Sequence, residues 1–179
     1  FASRVYVFIV KKEGAAIYVS ASTGDDDYEG TRARPLKTIK AGFDAVPSSG
    51  GDVYVAAGIY NESVTLEKGV SIYGGFDPST WVRDSFKAPD TPAYTTTIQG
   101  STIAIDGTGI TDTVIDGFTI TSATATLAGE GSYGIRLINS TVDIRNCVIT
   151  AGNGAPGQDG ASGTNGKAGA GGGNGEEGD

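Results

Sequence analysis

From Asp52 to Thr150 the chain offers strand signals and no convincing helix, and none of those signals exceeds five residues. Ten of them run in sequence: 52–56, 63–66, 70–73, 96–99, 102–105, 113–115, 118–121, 134–138, 141–144 and 147–150. Each is bounded by Gly, Asn, Asp or Thr, the residues of turns and strand ends. Strands this short cannot make a wide open sheet. They suit a solenoid, in which each turn of chain lays one short strand on each of several stacked sheets. A repeat supports this reading. Residues 114–121 align with 143–150 at an offset of 29, so that Ile115 meets Ile144, Phe118 meets Cys147, Ile120 meets Ile149 and Thr121 meets Thr150. That offset is the size of one parallel β-helix turn. Asp116-Gly117 in one copy and Arg145-Asn146 in the other mark the same bend, because Asn tolerates left-handed backbone almost as Gly does.

Ahead of the coils the pattern changes. Residues 4–10 read as a β-branched and aromatic strand, and Ile17–Ser20 as a second. A polar loop spans 23–30. Pro35 then opens a helix predicted from Leu36 to about Val46, with a partly apolar face, and the Pro47–Gly51 segment stops it. A solenoid exposes unpaired backbone and apolar core at its ends, so terminal repeats need caps, and this helix fits that job. The expected organisation is an N-terminal strand segment (1–16), a cap with its helix (17–51), β-helix coils (52–150) and a Gly-rich tail (151–179). At roughly 25 residues per turn the third segment holds four to five coils.

The order of motifs in the first half carries a family resemblance. Ile17-Tyr18-Val19-Ser20, Gly24-Asp25, Gly30-Thr31 and Pro35–Ala41 are followed by Gly51–Val55, Gly58–Glu62 and Val70–Asp77. This resembles the N-terminal entry of right-handed parallel β-helix proteins of the pectate-lyase-like superfamily. Residues 73–84, with Trp81-Val82-Arg83-Asp84, look more like its large bacterial surface proteins than its enzymes. The resemblance covers roughly residues 17–150. It implies an all-β, right-handed parallel β-helix with an N-terminal capping helix and an extended Gly-rich C-terminal segment. Lyases of the superfamily use a Ca²⁺-binding carboxylate set with an Arg or Lys base, and hydrolases use two or three Asp. Neither set can be placed here. Asp106, Asp112, Asp116 and Asp143 lie in the coils without a family motif, and Asp116 is expected to stack on Arg145 as a surface ion pair.

Composition removes other chemistries. The chain has no His, which excludes a Ser-His-Asp triad, a His-ligated zinc site and an imidazole base. The single Cys147 excludes an internal disulfide and is expected to be a buried structural thiol. A net charge of −8 argues against nucleic acid, and no apolar run is long enough for an ordinary transmembrane helix. Asp25-Asp26-Asp27-Tyr28-Glu29 holds oxygen ligands for Ca²⁺ but lacks EF-hand spacing, so a solvated turn is expected there and no cofactor is assigned. Tyr54, Tyr60, Tyr73, Tyr94 and Trp81 offer a sugar-stacking platform on one reading and scattered cap and turn packing on the other, which is preferred. The excursion 77–94, with Pro78, Pro89 and Pro92, is the expected partner contact.

Twelve of the 29 glycines fall in residues 151–179, and nine recur every third residue from Gly154 to Gly178. Period three is that of collagen, but the run holds only Pro156. An extended three-residue helix packing its glycine faces on the body or on neighbouring subunits is expected instead. The chain starts at Phe1 and has no Met, which reads as a processed, secreted end or as a truncation. Together these features predict a non-enzymatic extracellular structural protein of a bacterial surface. It would self-associate into a filament or surface layer, with strand 4–10 adding to a neighbour's sheet edge. The alternatives are an adhesive module binding cell-surface glycans and a fragment of a polysaccharide lyase or hydrolase. No catalytic or metal residue is assigned.

Overall fold

The computed structural model describes residues 15–83, 94–173 and 175. The strand predicted at 4–10 lies outside them. Five turns of chain stack in parallel. The first contributes β1 (Ala15–Val19) and is followed by the helix α1 (Ile39–Asp44). The second lays down β2 (Gly51–Ala56), β3 (Gly58–Tyr60) and β4 (Val64–Thr65). The third gives β5 (Val70–Phe76), β6 (Thr96–Gly100) and β7 (Ile103–Thr108), and the fourth β8 (Thr113–Asp116), β9 (Phe118–Ser122) and β10 (Tyr133–Ile138). The fifth has β11 (Val142–Arg145) and β12 (Val148–Thr150), after which the Gly-rich segment leaves. Three sheets result, ordered β1-β2-β5-β8-β11, β3-β6-β9-β12 and β4-β7-β10, with every strand pair parallel. The fold is a parallel β-helix, as expected.

Alternation within each short strand sends one set of side chains inward. Stacked turns place those residues in columns. Ile17, Val53, Ile72, Ile115 and Ile144 form one; Ile98, Ile120 and Ile149 a second; Val64, Ile105 and Ile135 a third. The members of these columns up to the fourth turn belong to the core. The 29-residue register between the fourth and fifth turns holds, with Ile115 on Ile144 and Ile120 on Ile149. Gly117 has φ +85° and Asn146 φ 51°, so the two equivalent bends share left-handed backbone.

The cap is shorter than predicted. The helix spans 39–44 rather than 36–46: one carboxylate takes the amides just ahead of it and a second those of its first turn. Asp26 accepts the Lys37 and Thr38 N–H groups at 2.8 and 2.9 Å, while Glu62 accepts those of Ile39 and Lys40 at 2.8 and 2.9 Å. Thr38 remains extended and acts as N-cap, its hydroxyl accepting from Ala41 N–H. Leu36 is drawn into a bridge with Val19 instead of the helix. Segment 30–36 thereby closes the outer edge of β1, through Tyr18 N–H to Gly30 O, Leu36 N–H to Tyr18 O and Ser20 N–H to Leu36 O. Gly24 sits in this closure, where a Cβ would lie 2.2 Å from Leu36 O.

Candidate functional site

Two surfaces stand apart from ordinary solenoid exterior: a column on the outer face of the first sheet, and the end of the solenoid opposite the cap. The column starts from register. Tyr18, Tyr54 and Tyr73 occupy the same outward position on successive turns, and the rings stack with centroids 5.4 and 5.7 Å apart. Arg32, from the segment that closes β1, lies over Tyr18 at 5.2 Å. At the other end Arg83 lies over Tyr73 at 5.7 Å and reaches Asp116 on the next turn. Trp81 and Phe76 meet Tyr18 and Tyr54 edge-on, at 4.9 and 5.2 Å.

Tyr54, Tyr73 and Trp81 are therefore gathered with Tyr18 and not scattered, which corrects that part of the preferred expectation, while their role in packing agrees with it. Nor are they a free platform. Sugar stacking needs an open ring face, and each face of the ladder is taken by the next ring or by a guanidinium. Tyr60 belongs to the interior: its hydroxyl donates to Ala56 O at 3.0 Å and accepts from Ala21 N–H at 3.1 Å. Burial pushes that phenol well above its usual value. Tyr94 returns the excursion to the solenoid and hydrogen-bonds Asp77. The described part of the excursion, 77–83, is clamped rather than free. Trp81 is 7% exposed and donates Nε1–H to Arg32 O at 3.1 Å, and Phe76 bridges Arg83. Of the expected partner-contact loop, 84–93 lies outside the described residues.

The acidic residues are engaged individually. Arg136 forks onto Asp106 at 3.0 and 2.8 Å, and these hydrogen bonds hold the carboxyl below its usual range. Asp112 is exposed at φ 58° and accepts from the Thr111 hydroxyl. Asp116 and Arg145 share register but do not form the expected pair. Asp116 is buried against Arg83 and also accepts from Asn146 Nδ2 at 2.9 Å, while Arg145 pairs with Asp143 of its own strand. The physical reason is reach: Arg83 enters from the excursion and takes the carboxylate first. Asp106, Asp116 and Asp143 are thus each held by a different arginine.

In the acidic turn, Asp26 is committed to Lys37 and Thr38. Partial burial pushes its carboxyl up, but the N–H groups of Thr38 and Lys37 outweigh that and hold it below its usual value. Asp25 accepts from Asp27 N–H at 3.1 Å. Among the described residues no three acidic or thiol groups converge as metal ligands. Cys147 is half-buried against the core over Phe118, its thiol directed to backbone carbonyls of Arg145 and Ile115. Burial raises its pKa, which disfavours the reactive thiolate.

The second surface is the open end. Ile17 at the capped end is 8% exposed, and the middle of its column, Val53, Ile72 and Ile115, is fully buried. Ile144, the last member, is 40% exposed, and Ile149 ends its own column at 44%. Among the described residues, the final edges of all three sheets, β10, β11 and β12, have no further strand beside them. The described part of the Gly-rich segment does not cover them. It begins by lying on the preceding turn's excursion, with Ala125 N–H to Asn153 O at 2.8 Å, Ala155 N–H to Glu130 O at 2.9 Å and Gly129 N–H to Pro156 O at 2.8 Å. From Gly157 to Gly173 no atom lies within 4 Å of a glycine's notional Cβ. The packing of glycine faces on the body expected for this segment thus ends at Pro156 among the described residues. The sequence showed the inward pattern of the last turn but not the exposure of Ile144 and Ile149.

A model of a protein family of unknown function (DUF1565) matches residues 22–174. No curated protein and no solved structure gives a significant match.

Proposed function

As the chain belongs to the DUF1565 family, whose function is unknown, we propose a role for it from its own surfaces: a non-enzymatic structural protein of a bacterial exterior that works by self-association. The observation that carries this reading is the asymmetry of the solenoid's ends. One is sealed by segment 30–36 and α1, and the other leaves Ile144 and Ile149 in solvent beside unpaired strand edges. Such an end is a template for pairing. The lateral surfaces support the same reading, because the tyrosine ladder and the carboxylates of Asp106, Asp116 and Asp143 are taken up by internal contacts. Kinship with the surface proteins of the pectate-lyase-like superfamily, and location outside the cell, belong to this proposal. A filament requires a second contact face besides the open end.

Sedimentation and negative-stain microscopy of the purified chain test the reading. Discrete assemblies and no turnover of pectate, alginate or galacturonan, with or without Ca²⁺, are expected. Depolymerisation of any of these, or a monomer at about 100 μM with a stable fold, overturns it.

A further inference from the structure

We infer that the open end is the interface of a two-fold dimer, in which β11 pairs antiparallel with β11 of a second copy, centred on Ile144. The inference rests on the self-association reading and specifies its geometry. Head-to-tail stacking is disfavoured because the outer edge of β1, which would have to receive β11, is already bonded by segment 30–36. Two open ends remain.

They match in three respects. The first is the backbone. Arg145 turns its carbonyl to Gly117 on the inner side. By the alternation of a strand, Ile144 turns its N–H and C=O to the open side, where a two-fold axis at Ile144 lets the two residues exchange both hydrogen bonds. The second is charge. Asp143 and Arg145 lie on either side of Ile144 and face outward, so antiparallel pairing sets each Asp143 opposite the partner copy's Arg145 and the reverse. The contact is complementary to itself, as a two-fold interface must be.

The third is the step of the helix. Each turn rises by one strand spacing, ~4.8 Å, so successive strands climb by a third of it. The last three strands in chain order are β10, β11 and β12, one per sheet, with β11 in the middle. A two-fold axis beside the middle strand sets β12 over β10 of the other copy and β10 over β12. The ledge that β12 makes fills the gap left where the third sheet stops at β10. All three sheets then continue across the interface at ~4.8 Å. Ile149 meets the Ile135 side of the other core, and the exposed column ends are buried.

Light scattering on the full chain is expected to give twice 18.1 kDa. Arg145→Asp puts like charge opposite Asp143 and should weaken the dimer about tenfold or more, with circular dichroism unchanged because the residue is exposed. The double exchange Asp143→Arg with Arg145→Asp should restore it. With Cys147→Ser as background, Ile144→Cys should crosslink to its own copy on oxidation, since a disulfide bridges Cα separations of about 4.4–6.8 Å. Ile59→Cys, an exposed position on β3, should not. Assemblies that ignore the charge exchange and fail to crosslink at 144 overturn this geometry and leave self-association standing. A chain that stays monomeric overturns both.

Discussion

Arg83 ties the excursion to two successive turns on the outer face. Its Nε donates to Gly74 O at 2.8 Å, one Nη donates to Asp116 O at 3.0 Å, and the guanidinium pairs with the Asp116 carboxylate while covering Tyr73. Asp116 is 8% exposed, so removing its cation strands a charge in a dry place. Arg83→Ala is expected to cost about 3 kcal/mol in urea unfolding, whereas Arg145→Ala, at a solvated pair, should cost under ~1 kcal/mol. Asp77 sets the pH response of the excursion. The N–H groups of Thr80 and Ser79 bind its carboxylate and pull its pKa from 3.8 to about 2. Because the folded value is depressed, its contribution is complete above about pH 4 and is lost as pH falls toward 2. Asp77→Asn should flatten that part of the acid-stability curve, measured as Tm between pH 5 and 2.

The cap shows how an element of six residues is held. Propensity does little at that length, so Thr38, Asp26 and Glu62 must satisfy the amides at its start. Thr38→Ala should cost about 1 kcal/mol and raise amide exchange first in 39–44. This explains which parts of the cap the sequence exposes to reading. Pro35 and the apolar spacing announce a helix, but the carboxylates that shorten it come from 26 and 62, one on the preceding loop and one on the next turn. The 29-residue register is legible because β8 and β9 are spaced as β11 and β12 are, so one offset aligns both pairs. The tyrosine column was not. Its members and their successors, Tyr18, Tyr54, Tyr73, Asp116 and Arg145, lie 36, 19, 43 and 29 residues apart, since excursions of different length leave at the corners. Strand β3 was missed because Gly58-Ile59-Tyr60 carries a glycine at φ +155° and only two residues with strand propensity.

Across the whole molecule, stability is graded along the axis. Ile115 is enclosed by a turn on each side and Ile144 by one. Ile115→Ala should cost about 4 kcal/mol, and Ile144→Ala about 1 kcal/mol when assayed on a dilute monomer. If the open end is covered by a second copy, the latter cost should grow with protein concentration, a dependence that chemical unfolding at two concentrations reads directly.

The direction of the strand pairing also fixes how the molecule bears load. Hydrogen bonds between turns run along the solenoid axis, so tension applied to the two chain ends peels one turn at a time instead of shearing a whole sheet. The fourth turn runs 29 residues from β8 to β11, and its release should lengthen the tether by roughly 100 Å at ~3.5 Å per residue. Stretching of a single molecule should therefore give a stepped record of low-force events beginning opposite the cap. Unequal step lengths would follow the unequal turns. Pulling across the axis, between points on one turn, should meet a single stiffer break.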